Sequence, residues 1–596
     1  MSWRWKLSVL LVFLVGFSVL IFMGHQTSVL APPIPEKVTT PEGKLLFTGQ
    51  DILAGQSVFQ KYGLMDVGSI FGHGAYNGPD FTADYLHNEA EMRINSLAKE
   101  RFGKDSSQLK VGEKAGLCDE LRTELKENRY DAKTGTLVFS ETEAQAYDKL
   151  KEHYRYLFRE LNRLPLPGSY IKKDEEINQL VNFFSWAAWA CVTNRPGKDY
   201  TYTNNWPPED LVGNRPHLHV FIWSALSLIT LIGGIGFTQF MLGAFPKFGW
   251  THDDAPPGVV DEVKKFLPSL AQKSVYPYLL VVVLLFLFQT IVGVLSAHYI
   301  VETAGFYGFD IRAYLPYSIT RSWHLQLSIF WIATSWLAAG IFMAPLLSRH
   351  EPKGQHLLVW LLFIALLIVA VGSIFGEWLG VNQMVGDLWF WFGHQGWEYL
   401  ELGRFWQALL TVGMVLWAFI VLRSVQPLLK GQDKGSLPYM LLYGVLSIPI
   451  FFSFGMMYNP GTNFTVADFW RWWVVHLWVE GFFELYTTII VAYFFHSLGM
   501  ISARTALTVI YLDIILYLGS GIIGTGHHYY WTAQPAINMA LGAMFSALEV
   551  VPLTLLTVEA WKFVNLAQVN GSIKNFSHYW AMMFLIAVGF WNFLGA

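Results

Sequence analysis

The residues of this sequence that suit metal chemistry lie in two short segments of its apolar second half. His476 and Glu480 are four residues apart in HLWVE, so their side chains share one face of a helix. His527 and His528 are adjacent in GTGHHYYW, about 100° apart on a helix, and the neighbouring glycines permit a bent helix end at which both rings reach one ion. Imidazole and carboxylate together suit iron, zinc or manganese. We therefore predict one mononuclear site; separate interfacial histidines are the alternative.

A further histidine, His324, stands alone in the aromatic-rich stretch TRSWHLQLSIFWIATSW. A single histidine on such a helix is a candidate axial ligand of a haem. A hydrogen-bonded packing histidine fits the sequence equally well, so both interpretations stay open at this point.

Two more polar groups lie where the chain is expected to meet the membrane surface. Glu398 and Glu401 in GWEYLELGR precede an apolar span, and they would bind a divalent cation or be solvated loop residues. His298 and Glu302 share a helix face, with Phe306 one turn further on. A polar pair beside an aromatic ring suits a quinol headgroup, whereas an interfacial belt is the simpler alternative.

The composition identifies a membrane protein. Hydrophobic residues make up 53% and charged residues 14% of the 596 residues, whereas a soluble globular protein has about 25% charged residues. Aromatic residues reach 16%, as expected where rings line membrane interfaces. The net charge of −4 gives no basic surface for nucleic acid. Two cysteines exclude a disulfide-dense scaffold.

The elements that must position these residues are membrane helices, because lipid offers no partners for backbone polar groups. An apolar run over 7–23 is long enough to span, and no A-x-A site follows it, so we predict a retained anchor rather than a cleaved signal peptide. The later spans are predicted at about 217–245, 276–302, 320–347, 356–381, 403–425, 437–459, 467–498, 503–523, 535–563 and 577–596.

The distribution of basic residues predicts the orientation of these spans. With the N-terminus in the cytoplasm, the polar region 32–215 lies outside, and the loop 459–468, which has no Lys or Arg, also lies outside. The outer loop 303–319 has only Arg312. The loops that then lie inside carry the following basic residues: Lys247, Lys264, Lys265, Lys273, Arg349, Lys353, Arg423, Lys430, Lys434, Arg504, Lys562 and Lys574.

Several segments together resemble the nitric-oxide reductase branch of the haem-copper oxidase superfamily. They are HLWVEGFFE (476–484), GTGHHYYW (524–531) and FSALEVVP (545–552). The stretch FQKYGLMDVGSIFGHGAYNGPDFTADYLH (59–87) is similar to the single-chain, quinol-dependent form. The resemblance implies an all-α polytopic helical bundle of the haem-copper oxidase type with an N-terminal cytochrome c-like extracytoplasmic domain that lacks haem. We therefore expect an anchor over 1–30, the outer domain over 31–215 and the bundle over 216–596.

The resemblance also implies roles for the metal-binding residues. His476, Glu480, His527 and His528 match the ligands of a non-haem iron, and His324 matches one axial ligand of a low-spin haem b.

Further roles are implied for acidic and aromatic residues. Glu484 and Glu549 match acidic residues near the iron that are linked to proton delivery, so that Glu480, Glu484 and Glu549 are the expected catalytic carboxyl groups. Glu398, Tyr76 and Gly74 match a calcium site, and Glu401 is its acidic neighbour. His298, Glu302 and Phe306 match a quinol pocket.

The electron donor follows from a motif that the sequence lacks. There is no C-x-x-C-H, the attachment motif of a c-type haem, and Cys118 and Cys191 are far apart. A lipid-soluble quinol is then the expected donor. Pairing of the two cysteines and two free thiols are both compatible with the sequence.

The end of the sequence differs from the family pattern. The chain stops at FWNFLGA within an apolar run, whereas the family has further spans, the first of which carries an H-x-H pair. That pair supplies the ligand of the high-spin haem b and the second ligand of the low-spin haem. We expect a truncated sequence that does not turn over alone.

The implied activity is reduction of nitric oxide to nitrous oxide with electrons from quinol, in denitrification or nitric oxide detoxification. The implied setting is a bacterial inner membrane, with the domain 31–215 on the periplasmic side; a homodimer is left open. The first alternative is a terminal quinol oxidase that reduces oxygen, although such enzymes have Tyr where Glu480 stands. The second is a proton-coupled transporter without haem that uses Glu480, Glu484 and Glu549.

Overall fold

The fold is described from a computed structural model. It describes residues 3–74, 76–160, 164–216, 218–244, 267–302, 307–430, 434, 436–497, 501–529, 534–546, 548 and 579–595.

The polar N-terminal region folds into a helical domain with one small sheet. Its helices are α2 (Gly49–Lys61), α3 (Phe81–Phe102), α4 (Val111–Lys126), α5 (Glu141–Arg159) and α6 (Asp174–Val192). Two of them begin at capping boxes: Thr48 with Asp51 starts α2, and Ser140 with Glu143 starts α5. The core of the domain is aromatic, as in the stacked pair Phe81 and Phe184 with ring centroids 4.9 Å apart.

The sheet was not expected from the sequence, because its strands are only two to four residues long. The strands are β1 (Lys37–Thr39), β2 (Leu45–Thr48), β3 (Tyr130–Asp131) and β4 (Thr136–Val138), in the order β2-β1-β4-β3. β1 pairs antiparallel with β2 and parallel with β4, and β3 pairs antiparallel with β4. The pairing of β1 with β4 therefore joins the beginning of the outer domain to a segment about 100 residues later in the chain.

The rest of the chain forms the helices of a membrane protein. They are α1 (Trp3–Leu30), α7 (Leu218–Ala244), α8 (Leu270–Lys273), α9 (Tyr276–Val301), α10 (Tyr317–Ser348), α11 (Gln355–Val381), α12 (Trp389–Phe392), α13 (Arg404–Leu429), α14 (Leu437–Ser453), α15 (Phe464–Trp472), α16 (Glu484–Ser497), α17 (Ala503–Leu516), α18 (Ile522–Gly524), α19 (Ala536–Ser546) and α20 (Tyr579–Gly595).

Within the described part of the chain, nine helical segments are long and apolar enough to cross a membrane. They correspond to the predicted run 7–23 and to the first eight of the later spans. The last two predicted spans, 535–563 and 577–596, are described only in part, and there they are helical as α19 and α20. The structure agrees with the predicted multi-pass helical class.

Two spans are wound as π-helices over part of their length, at Trp473–Phe483 and Tyr517–Gly521. The Tyr517 hydroxyl, from the second π segment, donates to the Leu477 carbonyl of the first π segment at 3.0 Å. A methyl group at Gly481 would lie 1.8 Å from the Tyr517 hydroxyl oxygen. Such local π turns are frequent at functional sites.

The N-terminal helix α1 packs within the bundle. A methyl group at Gly16 would lie 2.4 Å from the Leu518 carbonyl oxygen, which shows how closely the two backbones approach. Near the other end of α1, the Gln534 side chain donates to the Met23 carbonyl at 2.6 Å. The predicted anchor is thus also a structural part of the membrane domain.

Candidate metal centre

Three imidazole rings from two separate spans meet at one point. The Nε2 atoms of His527 and His528 are 2.8 Å apart, and His528 Nε2 is 3.1 Å from His476 Nδ1. Ligands bonded to one ion at about 2.0–2.1 Å lie roughly 3 Å from one another. Two of the three separations therefore match those of neighbouring ligands around a single transition metal, and all three donor atoms lie within 4.8 Å of one another.

The hydrogen bonding of His476 suits the same arrangement. Its Nε2 lies 2.8 Å from the carbonyl oxygen of Gly521. When Nε2 donates its proton there, Nδ1 keeps a lone pair directed toward the other two rings. Metal-bound histidines commonly donate their other ring N–H to a backbone carbonyl, which fixes both tautomer and ring orientation.

The adjacent pair His527 and His528 lies at a helix end that tightens. Residues Thr525–His528 form a 3-10 turn, in which adjacent side chains are about 120° apart rather than about 100°, so the two rings meet through the directions of their side chains and not through a shared helix face. α19 supports this turn from close by: a methyl group at Gly542 would lie 2.2 Å from His527 N. The helix end that the flanking glycines were expected to bend is a 3-10 turn in the structure.

The fourth expected ligand, Glu480, belongs to the π segment that also carries His476. Its side chain lies outside the described residues, as does the whole of Glu549. Glu484 begins α16 one turn after Glu480 and is half-buried. The structure thus brings three of the four expected ligands together, and the fourth, Glu480, is placed by its backbone on the same segment as His476.

Aromatic and charged residues that the sequence patterns did not single out surround His528. The Trp472 indole stacks on the His528 ring, with centroids 3.8 Å apart and planes 13° apart. The fully buried Arg471 guanidinium lies 4.4 Å from the centre of the Trp472 ring and donates to His73 Nε2 of the outer domain at 2.8 Å. An arginine in an apolar span is itself a signal of function, and Arg471 lies only five residues before His476, the first residue of HLWVE.

The contact with Arg471 affects the protonation of His73. Burial and the adjacent guanidinium lower the pKa of His73 well below its usual value. A neutral imidazole can accept the hydrogen bond that Arg471 donates.

His324 lies on α10 against α9, apart from the three-histidine cluster. Its Nδ1 is 3.1 Å from the Gln289 carbonyl oxygen, which leaves Nε2 as the donor atom of a haem ligand. Gly293 allows the close approach, since a methyl group there would lie 2.7 Å from the ring. The hydrogen bond fits an axial ligand and also fits the packing alternative.

The expected calcium site is partly assembled. The Tyr76 hydroxyl donates to Glu398, and Arg321 donates to the same carboxylate oxygen at 2.8 Å. Gly74 adopts φ 105° at the same loop. Calcium prefers six to eight oxygen ligands, so these residues would supply only part of its coordination, and Arg321 already balances the Glu398 charge.

The neighbouring Glu401 is fully buried, and Glu398 is only 3% exposed, so neither is a solvated loop residue. Gln326 donates to Glu401, as does the Tyr399 backbone at 2.9 Å. Burial raises the pKa of Glu401 to about 8. Asp66 and His394 lie in the same buried region, 3.2 Å apart, where burial lowers the pKa of His394 to about 4.

The expected quinol residues lie at the end of α9. His298 Nδ1 and Glu302 are 2.5 Å apart, as their spacing predicts, and both are partly exposed. Phe306 lies outside the described residues. The two cysteines, Cys118 and Cys191, are buried free thiols rather than a disulfide.

Two family models match this chain, and a nitric oxide reductase chain is among its relatives. Residues 35–208 match the model for the cytochrome c-like domain of NorB, a nitric oxide reductase chain. Residues 273–596, more than half of the chain, match the model described as cytochrome C and quinol oxidase polypeptide I. A nitric oxide reductase chain from Stutzerimonas stutzeri is 29% identical over 313 residues, which cover 51% of this chain and 62% of the relative. The matched part thus spans less than two thirds of that relative.

Proposed function

We propose, given that this chain belongs to the cytochrome c and quinol oxidase polypeptide I family, that it is the membrane-bound catalytic chain of a nitric-oxide reductase. The reaction joins two molecules of nitric oxide with two electrons and two protons to give nitrous oxide and water. The observation that supports the proposal most is the convergence of His476, His527 and His528 on one point. The match of the outer domain to a nitric oxide reductase domain supports it independently.

In this proposal the three histidines and Glu480 hold a non-haem iron. A hard carboxylate ligand favours iron over copper. His476 is held by Gly521 with Nδ1 toward the other rings, so the histidine donors are in place before the ion binds. When bound, the iron and the haem groups would pass electrons from the donor to nitric oxide and supply the coordination positions at which it is reduced.

The remaining residues receive roles from the same proposal. His324 would hold a low-spin haem b through Nε2, because Nδ1 is directed to the Gln289 carbonyl. Glu484, half-buried one turn after Glu480, would carry protons toward the site. Tyr76, Glu398 and Gly74 would contribute to a calcium site.

Quinol is the proposed electron donor, and it would bind at His298 and Glu302. These residues form a close pair at the end of an apolar helix, where a lipid-soluble ligand can reach them. The pair can accept and donate hydrogen bonds to the two hydroxyl groups of a quinol. The outer domain would face the periplasm of a bacterial inner membrane.

A terminal oxidase of the same family is the competing function. It would contain copper and would consume oxygen rather than nitric oxide. Metal analysis of the purified protein separates the two, since iron beyond the haem iron supports the reductase and copper supports the oxidase. A haem-free transporter predicts no Soret band in the visible spectrum.

The proposal is tested by replacing Glu480 in the natural full-length protein. We expect Glu480→Ala to abolish nitric oxide consumption and to lower the content of non-haem iron, because one of four ligands is lost. Nitric oxide uptake is measured with an electrode and iron by elemental analysis. His350→Ala, at an exposed position after α10, is the control and should change neither. Normal iron content in Glu480→Ala would contradict the ligand role.

A further inference from the structure

Three residues of α15 form a compact group next to the candidate metal centre. Asp468, Arg471 and Trp472 are at positions i, i+3 and i+4, so they share one helix face. The Asp468 carboxylate lies 3.1 Å from Arg471 Nε and accepts a hydrogen bond from Trp472 Nε1 at 3.2 Å. One carboxylate thus contacts both the guanidinium and the indole. We call these three residues the α15 clamp.

The α15 clamp reaches the metal centre through an aromatic face. The Trp472 indole and the His528 imidazole are nearly parallel, with centroids 3.8 Å apart. This contact restricts the plane in which the His528 ring can lie. His528 Nε2 lies 2.8 Å from His527 Nε2 and 3.1 Å from His476 Nδ1, so the orientation of its ring affects the whole site.

The α15 clamp also reaches the outer domain. The Arg471 guanidinium donates a hydrogen bond to His73 Nε2 at 2.8 Å, and it also lies 3.4 Å from Met65 Sδ. His73 and Met65 both belong to the outer domain. Arg471 and Asp468 are both fully buried. Burying an ion pair costs free energy of desolvation, and removing one partner strongly destabilises the fold because the other charge is left unpaired. Asp468 and Arg471 are therefore expected to remain together.

We infer that the α15 clamp positions His528: Asp468 and Arg471 hold the Trp472 indole in place, and the indole fixes the orientation of the metal-binding imidazole. Because Arg471 also donates to His73, the position of the outer domain is transmitted to the metal ligand. These are positioning residues, since they act on the centre through the face of the His528 ring and supply none of its three donor atoms. The inference rests on the proposed metal centre.

The test uses Co²⁺ as a spectroscopic probe of the metal site in the purified full chain. Co²⁺ gives visible absorption bands that depend on ligand geometry. We expect Trp472→Leu to shift these bands and to weaken Co²⁺ binding about 10-fold, as for other residues that orient metal ligands. Trp472→Phe keeps an aromatic face against His528 and should restore most of the affinity.

Two further variants sharpen the test. Trp470→Leu is the matched control, because Trp470 is on the same helix but stacks on Phe454, at 6.1 Å and 7°, and it should leave the Co²⁺ spectrum unchanged. Arg471→Lys keeps the charge, but a single ammonium nitrogen cannot lie beside Asp468 and also donate to His73 as the planar guanidinium does. We expect it to shift the bands in the same direction as Trp472→Leu.

The outcomes separate this inference from the proposed function. Normal Co²⁺ binding by the wild type, with an unchanged spectrum and affinity in both Trp472→Leu and Arg471→Lys, would overturn the inference alone. A wild-type chain that binds no Co²⁺ would overturn the metal centre and the inference with it. A shifted spectrum in Trp472→Leu that Phe reverses supports both.

Discussion

At the scale of single residues, the hydrogen bonds of each histidine decide what it can do. His476 has Gly521 as a backbone partner, and His324 has Gln289, so each keeps one ring nitrogen for another ligand. His394, in contrast, accepts the Gly396 backbone N–H at Nδ1, and its Nε2 lies 2.5 Å from Ser322 Oγ. Both nitrogens of His394 therefore serve the structure.

Lys126 provides a pH prediction at the same scale. It ends α4 and donates to Asn214 Oδ1 at 2.5 Å, in the segment that leads to the first long span of the bundle. Burial lowers the pKa of Lys126 from 10.5 to about 8. The fold therefore prefers the neutral amine, and this contribution to stability is complete above pH 10.5 and lost as the pH falls through about 8.

We expect the outer domain to become more stable between about pH 8 and pH 10 in the wild type, and Lys126→Met to remove this part of the increase. The unfolding midpoint of the detergent-solubilised protein, measured at each pH, reports the effect. Lys149→Met, at an exposed position of α5, should keep the wild-type pH profile. A wild-type profile in Lys126→Met would contradict the assignment.

At the scale of elements, the two π segments bring the metal-binding spans together. His476 is in one π segment and its partner Gly521 ends the other. The Tyr517 side chain joins them through the Leu477 carbonyl, in the space that Gly481 leaves open. An insertion of a side chain into the hydrogen-bond ladder is a known cause of irregular helix winding.

Gly481→Ala tests this arrangement. The added methyl group would lie 1.8 Å from the Tyr517 hydroxyl oxygen, so the two segments must separate. We expect a loss of about 1–3 kcal/mol or more of stability and weaker Co²⁺ binding. Gly236→Ala, where a methyl group meets no atom within 4 Å, is the control. Wild-type thermal stability and Co²⁺ affinity in Gly481→Ala would exclude a role for this contact.

At the scale of the whole molecule, the outer domain and α1 are attached to the bundle through polar side chains. Gln56 donates to the Pro460 and Thr462 carbonyls at 3.1 and 2.9 Å. The Gln534 amide bonds to α1, and its backbone carbonyl accepts from Asn204 at 3.0 Å. Side-chain hydrogen bonds therefore hold both the N-terminal helix and the outer domain to the rest of the chain.

Metal binding should stabilise the whole molecule, because the ligands come from elements that are far apart in the chain. At a Co²⁺ concentration 100 times the dissociation constant, the gain is about 2.7 kcal/mol. We expect Co²⁺ to raise the melting temperature of the wild type and not that of His528→Ala.

Mg²⁺ prefers oxygen ligands and serves as the control, which should have no effect on the wild type. An equal increase with Co²⁺ in His528→Ala would place the ion elsewhere on the protein.

Much of this architecture could be predicted from local sequence features. Hydropathy predicts the spans one by one, because each membrane helix satisfies its own backbone polar groups. The i, i+4 spacing of His298 and Glu302 likewise predicts their contact, because the geometry of one helix sets the distance between the two side chains.

The sequence by itself thus determined the membrane class, the spans and the set of residues that suit a metal. Only the tertiary structure decided that His476 meets His527 and His528, that Glu398 is paired with Arg321, and that Trp472 covers His528. These contacts join segments about fifty or more residues apart, and they depend on how helices pack and wind. No local periodicity contains that information, because residues distant in the chain become neighbours only when the bundle closes.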